Sequence, residues 1–195
     1  MITNNKLYQK IFDEWKSGNI SSAYELTRKY LDRGIESKKV NIIFVDLLIS
    51  LNNFQEAKQF LDEQVNTSNT EYLHQLYLQY GHLYTKKSDI QRSISYYKKA
   101  HSIKPNDPGS LIYIAQNYYS QGDFDSSIKY FNKVLKTTKQ LNDEAYFNLG
   151  LIEKSLHNYD KAIFYFEKAL ELDPDYYIAT NQMNDCRLAR NRHNK

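Results

Sequence analysis

The chain is poor in residues that break helices or cross-link the backbone: its 195 residues include one cysteine, three prolines and six glycines. A single thiol, that of Cys186, excludes an internal disulfide framework and is typical of a reducing compartment. The start of the chain has no basic stretch followed by an apolar one, and no segment reaches the roughly 18 apolar residues of a membrane span. We therefore predict a cytoplasmic helical protein without membrane insertion.

Motifs for catalysis and for cofactor binding are also missing. The sequence has no Gly-rich phosphate loop, no Cys-x-x-Cys, no His-Glu-x-x-His and no Gly-x-Ser-x-Gly. His74 and His82 would lie about 12 Å apart along one helix, which is too far for a shared metal ion. We predict no enzyme activity, no catalytic residue, no cofactor and no metal. The formal net charge of +3 is too small to indicate a polyanionic partner.

What the sequence does contain is a repeat of 34 residues. Four positions recur 69 residues apart, namely Gly81 and Gly150, Tyr97 and Phe166, Ala100 and Ala169, and Pro105 and Pro174. A third copy lies between them at Ala115, Phe131 and Val134. A period of this length is typical of stacked supersecondary units, and it favours binding over catalysis.

Each copy predicts two amphipathic helices joined by a turn. In residues 143–176, apolar residues recur at three- and four-residue spacing on both sides of His157-Asn158. Small residues such as Gly150 and Ala162 allow the two helices to approach closely. Asp173-Pro174 ends the second helix, because proline has no amide proton to donate.

These positions resemble the tetratricopeptide repeat (TPR). The best copy matches the pattern at Tyr146, Leu149, Gly150, Ala162, Phe166, Ala169 and Pro174. The copy in residues 74–107 matches at Tyr77, Tyr80, Gly81, Tyr84, Tyr97, Ala100 and Pro105, with Ser93 in place of the first alanine. The copy in residues 108–142 matches at Leu111, Ile114, Ala115, Tyr118, Gly122, Phe131 and Val134.

Two divergent copies precede these three, marked by the turns Gly18-Asn19-Ile20 and Asn52-Asn53-Phe54. Ile11 and Leu47 are predicted to occupy the small-residue position of their first helices. The resemblance implies an all-α, right-handed superhelical solenoid that forms a single domain over residues 1–195. Its predicted repeats are 4–37, 38–73, 74–107, 108–142 and 143–176.

A final helix over residues 177–195 is predicted to cap the solenoid through the apolar stripe Tyr176, Ala179, Met183 and Cys186. Its basic residues are Arg187, Arg190, Arg192, His193 and Lys195. Such a short basic end is usually explained by solvation and by the helix dipole, so nucleic-acid binding is not expected.

In TPR arrays the concave face is lined by the first helix of each repeat, so the resemblance implies a binding groove there. The predicted groove residues are Tyr8, Phe12, Ile42, Ile43, Asp46, Leu78, Gln79, His82, Ile112, Tyr113, Gln116, Tyr119, Phe147, Asn148 and Leu151. Some TPR domains hold chaperone C-termini with a clamp of cations and asparagines. The first possible frame for such a clamp here is Tyr8, Phe12, Ile43, Gln75 and Gln79, and neither this frame nor the next two supplies the cations.

We therefore expect a non-enzymatic protein-binding module, chaperone or adaptor whose groove takes a peptide or helix with apolar anchors. Two alternatives remain open. The protein could be a structural adaptor that docks through its convex face or self-associates, or it could be an accessory subunit of an enzyme or nucleic-acid complex. The sequence does not define the oligomeric state.

Overall fold

The computed structural model describes residues 3–66, 69–137, 139 and 141–193, and these residues form helices, turns and no strands. The predicted all-α class is confirmed. The helices are α1 (Asn4–Lys16), α2 (Ile20–Leu31), α3 (Lys38–Ser50), α4 (Phe54–Asn66), α5 (Thr70–Lys86), α6 (Ile90–Ile103), α7 (Gly109–Ser120), α8 (Phe124–Thr137), α9 (Asn142–Ser155), α10 (Tyr159–Leu172) and α11 (Tyr177–His193).

The helices divide between two compact units. Unit 1 is Met1–Ile103 and contains α1 to α6, and unit 2 is Lys104–Lys195 and contains α7 to α11. Each odd-numbered helix from α1 to α9 packs against the helix that follows it, so these helices form five pairs. The predicted single domain over all 195 residues stays a prediction.

Each helix pair turns on one residue with a left-handed backbone. These residues are Gly18, Asn52, Ser88, Gly122 and His157, with φ between 58° and 79°. A left-handed residue just after a helix lets the next amides bond back to the last turn. After Ser88, for example, the amide of Asp89 donates to the carbonyl oxygen of Tyr84 at 2.9 Å.

The turns correct the predicted register of the second repeat. In the third, fourth and fifth repeats the small residue lies seven positions before the left-handed residue. In the second repeat that position is Val45, not Leu47 as predicted, because the second turn lies 36 residues before the third instead of 34. Val45 is fully buried in one cluster with Leu61 and Ala57 of α4, whereas Leu47 packs with α1 and α2.

Paired positions of opposite size bring the helices of a pair together. A Cβ atom on Gly81 would lie 2.2 Å from the Tyr97 ring, and one on Gly150 would lie 2.6 Å from the Phe166 ring. The equivalent pairs elsewhere are Ile11 and Thr27, Val45 and Leu61, and Ala115 and Phe131. Among these pairs, an aromatic ring on the second helix is therefore found only opposite glycine or alanine, as close packing requires.

Two serines replace alanine at a closely packed position of the second helix. The side chains of Ser93 and Ser127 are fully buried, as are Ala23, Ala57 and Ala162 at the equivalent positions. The Ser93 hydroxyl donates to the Gly81 carbonyl at 2.9 Å, and the Ser127 hydroxyl donates to the Ala115 carbonyl at 2.8 Å. Serine is tolerated there because its buried hydroxyl has an acceptor on the first helix.

The final helix packs on the last repeat through its predicted apolar side. Ala179 and Cys186 are fully buried and Met183 is 8% exposed, all in one cluster with α10. Two arginines also attach α11 to α10: Arg187 pairs with Glu167 at 3.0 Å and Arg190 with Asp160 at 2.9 Å. Two of the predicted basic residues therefore have acidic partners within unit 2. Lys195 lies outside the described residues.

Candidate functional site

The first helices of the three unit 1 repeats enclose a cleft of about 270 Å³. We call it the N-terminal cleft. It is lined by Tyr8, Phe12 and Trp15 of α1, by Lys39, Ile42 and Ile43 of α3, and by Gln75, Leu78, Gln79 and His82 of α5. Seven of the eight groove residues predicted in this unit are thus brought together around one cavity.

The α1 wall of the cleft is aromatic and is fixed by a hydrogen bond. The rings of Phe12 and Trp15 lie 5.8 Å apart and are tilted by 52°. The Trp15 indole Nε1 donates to Asp46 Oδ2 at 2.6 Å. Asp46, the eighth predicted residue, is not among the lining residues, and it orients Trp15 instead.

The α5 wall has two polar side chains that are shielded from solvent, the half-buried His82 and the buried Gln79. His82 Nδ1 lies 2.9 Å from the Tyr97 hydroxyl oxygen. Burial lowers the pKa of His82, although the nearby Asp46 carboxylate acts in the opposite direction. This position therefore favours the neutral imidazole.

Gln79 is the second polar residue of this wall, and its side chain is buried, with only 8% exposed. Its Oε1 is closed to water and accepts no hydrogen bond. A buried, unpaired acceptor of this kind costs about 1–3 kcal/mol.

The charge on the cleft comes from one side chain. Lys39 is exposed at the cleft, and none of the ten lining residues carries a carboxylate. The five positions of the first clamp frame all line the cleft, but they are aromatic, aliphatic or amide residues. The cleft is thus an apolar cavity with amides on one wall and a single cation.

The predicted groove residues of unit 2 are engaged with their own chain. Gln116 Nε2 donates to Glu144 Oε1 at 3.1 Å, and Asn148 Nδ2 donates to the Glu144 backbone carbonyl at 2.8 Å. The Phe147 ring lies 4.8 Å from Tyr176 and 5.8 Å from Phe166. These contacts join α7 to α9, and α9 to α10 and the segment before α11.

The other unit 2 residues of the prediction are placed in several environments. Ile112 is 2% exposed in the core of α7, α8 and α9, so it offers a partner little surface. The Tyr119 hydroxyl lies 3.1 Å from that of Ser155, and Leu151 packs against the cluster of α10 and α11. Tyr113 is half-buried on α7.

A partly buried carboxylate lies on this face of unit 2. Burial raises the pKa of Glu144, the neighbouring Asp143 raises it further, and the hydrogen bond from Gln116 only partly opposes both effects. Burial also raises the pKa of Tyr176, as do the charges of Glu144, Asp143 and Asp173. The unit 2 face is therefore acidic, whereas the N-terminal cleft is not.

Three lining residues of the N-terminal cleft were not predicted: Trp15, Lys39 and Gln75. Each lies three residues from a predicted residue on its own helix, namely Phe12, Ile42 and Leu78. Extending the predicted face by one helical turn would have included all three.

Two other kinds of site are absent from the described residues. No group of three or more His, Cys, Asp or Glu side chains there could hold a metal ion. No helix in the described ranges is long and apolar enough to cross a membrane.

Comparison with known proteins identifies the family. Sequence profiles of the tetratricopeptide repeat match residues 143–176, 74–107 and 110–140, which together are just over half of the chain. The chain belongs to the tetratricopeptide repeat family. The repeats imply a role in protein–protein interaction, because proteins of this family are generally scaffolds.

One curated relative and two solved structures are also similar to this chain. The CTR9 homolog of Arabidopsis thaliana is 34% identical over 74 residues, which cover 36% of this chain and only 7% of that protein. A thermophilic TPR protein from Thermus thermophilus has a TM-score of 0.74 at 16% identity, covering 95% of this chain and 100% of that chain. The signal-transduction ATPase with a TPR sensor from Pyrococcus horikoshii has a TM-score of 0.73 at 18% identity, covering 95% of this chain and 31% of that chain. At these identities the two structures support the fold alone.

Proposed function

We propose that the protein is a non-enzymatic, cytoplasmic protein-binding module and that its N-terminal cleft receives an apolar anchor of a peptide partner. The observation that carries this proposal is the cleft itself, in which aromatic and aliphatic side chains from α1, α3 and α5 surround one cavity. Concave, mostly apolar sites with a few polar groups are typical binding sites. A cavity of about 270 Å³ suits one or two bulky side chains better than a folded domain.

The composition of the cleft argues against a carboxylate clamp. Tight binding of a C-terminal carboxylate needs several charge-assisted donors, and the cleft supplies one lysine among its ten lining residues. Affinity would instead come from burial of apolar surface, as at most interface anchors. Binding by this route should depend little on salt.

Leu78→Glu tests the proposal. Leu78 lines the cleft and is half-buried, and it belongs to none of the hydrophobic core clusters of unit 1. A carboxylate in this position would be desolvated by an apolar anchor. We expect the affinity for a partner isolated with the wild-type chain to fall at least tenfold, measured by isothermal titration calorimetry, while far-UV circular dichroism stays unchanged.

Leu188→Glu is the matched control, because Leu188 is 60% exposed on α11 of unit 2. It makes the same chemical change on another helix and should leave the affinity unaltered. If the folded Leu78→Glu protein binds the partner at full strength, the cleft assignment is wrong. The partner would then be held by another surface, as in the adaptor or accessory-subunit alternatives.

A further inference from the structure

The outer side of α11 carries large apolar side chains, although a capping helix needs only polar ones there. Tyr177 is 70% exposed and Leu188 is 60% exposed, more than any other large apolar side chain of the described residues. Asn181 and Asn184 lie between them on the same side of the helix, and both are exposed. We call these four residues the α11 seam. Single exposed apolar residues are common on protein surfaces, but these two share one line along the helix with no charged residue between them.

The α11 seam has the spacing of a coiled-coil contact. Its residues follow one another at intervals of four, three and four positions, which is the a/d spacing of a heptad repeat. The residues of α11 that are buried in the cluster with α10, namely Ala179, Met183 and Cys186, lie on the opposite side of the helix at about 3.6 residues per turn. A second helix could therefore pack on the seam without disturbing the contacts with α10.

The seam is complementary to itself when two copies of α11 run antiparallel, because its spacing is the same in both directions. Tyr177 of one copy then lies opposite Leu188 of the second copy, and Asn181 lies opposite Asn184. Each contact occurs twice, as a two-fold interface requires. A tyrosine ring covers a leucine at both ends of the seam, and the asparagines pair at its centre. Polar pairs inside such a seam fix the register of the helices.

The charges at the ends of α11 favour the same orientation. Arg192 lies in the last turn and Asp175 precedes the first, and both are exposed without an ion-pair partner among the described residues. Antiparallel packing brings the basic end of one α11 to the acidic start of the other, whereas parallel packing would place like charges together. The two helix dipoles are also opposed in the antiparallel arrangement.

From the heptad spacing, the two-fold symmetry of the seam and the charges at its ends, we infer that the protein forms a homodimer through antiparallel α11 helices. One pair of 17-residue helices buries less than the roughly 1,200 Å² of stable interfaces, so we expect a weak dimer with a dissociation constant of about 100 µM. None of the seam residues lines the N-terminal cleft, so the dimer is independent of the partner proposed for that cleft.

Sedimentation velocity at increasing protein concentration tests the dimer. The wild type should shift from monomer to dimer between about 10 and 500 µM, as mass action requires. Leu188→Glu places a carboxylate against the Tyr177 ring of the second copy and should weaken dimerisation about tenfold or more. Leu51→Glu is the matched control, because Leu51 is also exposed, at 42%, and lies in unit 1. It should dimerise like the wild type, and far-UV circular dichroism should be unchanged in both variants.

Disulfide cross-linking tests the orientation, in a background in which the buried Cys186 is replaced by alanine. A mixture of the Tyr177→Cys and Leu188→Cys proteins should give a covalent dimer on mild oxidation, because the two thiols face each other at one end of the seam. Each protein alone should cross-link far more slowly, since equal positions lie about 16 Å apart along antiparallel helices, beyond the reach of a disulfide. Non-reducing gel electrophoresis measures the covalent dimer.

Three results would overturn the inference. A wild type that stays monomeric at about 500 µM excludes the dimer. If Leu188→Glu dimerises as strongly as Leu51→Glu, α11 is not the interface. If Tyr177→Cys alone cross-links as fast as the mixture, the helices are not antiparallel. All three results leave the proposed function untouched, because that proposal depends on Leu78 and the N-terminal cleft.

Discussion

The two units use equivalent helices differently. In unit 1 the first helices of the repeats leave aromatic and aliphatic side chains around an open cleft. In unit 2 the corresponding side chains bond to each other, as Gln116 does to Glu144, or pack against the chain, as Phe147 does against Tyr176. The repeat thus fixes which way a side chain points, and the neighbouring residues decide whether it is available to a partner.

The same comparison applies inside the helix pairs. Two of the unit 1 pairs that face each other are Val45 with Leu61 and Gly81 with Tyr97. The unit 2 pairs are Ala115 with Phe131 and Gly150 with Phe166. A large residue on the second helix accompanies a small one on the first. In each of these pairs a larger side chain is balanced by a smaller one, so changing only one member should lower the stability of the fold.

The largest expected effect on stability comes from placing the residue pair of one unit 1 repeat, Val45 with Leu61, at the equivalent positions of unit 2. Gly150→Val should destabilise by about 3 kcal/mol, because a Cβ there already meets the Phe166 ring at 2.6 Å. Adding Phe166→Leu should recover much of this loss, since the double variant reproduces the combination of Val45 and Leu61. Urea unfolding with hydrogen exchange of α9 and α10 measures both. A double variant no more stable than Gly150→Val would refute pairing by size.

A smaller effect separates the two predicted groove faces. Phe147→Ala should destabilise by about 2 kcal/mol, because Phe147 contacts both Phe166 and Tyr176. Phe12→Ala should cost less, about 1 kcal/mol, since the Phe12 ring lines the cleft, contacts Trp15 and packs only at the edge of the core cluster of α1, α2 and α3. In partner binding the order should reverse, with Phe12→Ala the more harmful change. If Phe147→Ala and Phe12→Ala lower stability equally, the unit 2 face is no more engaged with its own chain than the N-terminal cleft is.

The smallest expected effect is on how stability depends on pH, because one carboxylate in each unit contributes with the opposite sign. Although burial alone would raise the pKa of Asp62 in unit 1, hydrogen bonds from Lys58 and Tyr80 lower it overall. The ionised Asp62 therefore stabilises unit 1 above its ordinary pKa, and this contribution is lost as the pH falls through the lowered value. In unit 2 the raised pKa of Glu144 means that its charged form opposes folding above that pKa.

Two amide substitutions isolate these effects. Asp62→Asn should reduce stability near about pH 7, and Glu144→Gln should increase it there, each by less than about 1 kcal/mol because solvent screens both groups. Both differences should shrink as the pH is lowered toward about 3. Urea midpoints of the two variants across this range measure the effect, and shifts of the same sign at neutral pH would contradict the assigned environments.

Much of this architecture could be predicted from the sequence because it depends on local spacing. Turn residues, helix pairs and the buried stripe of α11 all follow from positions three, four or about 34 residues apart. The predicted register of the second repeat was wrong because two more residues than expected lie between its turn and the next. In addition, α5 begins at Thr70, where the Asn69 side chain caps its first turn. That cap lies well before the predicted boundary at 74.

The environment of the groove residues could not be predicted in the same way. Spacing places Gln116 and Phe147 on the face of a first helix, but the bond from Gln116 to Glu144 crosses from α7 to α9. Such contacts depend on the separation of two helices and on side-chain rotamers, neither of which has a period. The unpaired oxygen of Gln79 is likewise a property of the packed cleft, not of the residue type.

The left-handed turns are positions at which this chain could be altered without touching the N-terminal cleft. Asn52, Ser88 and His157 hold a backbone conformation that glycine adopts more easily, and all three side chains are exposed. None of them lines the N-terminal cleft. A single glycine at any one of these three turns could therefore stabilise its own repeat while every residue that lines the N-terminal cleft stays unchanged.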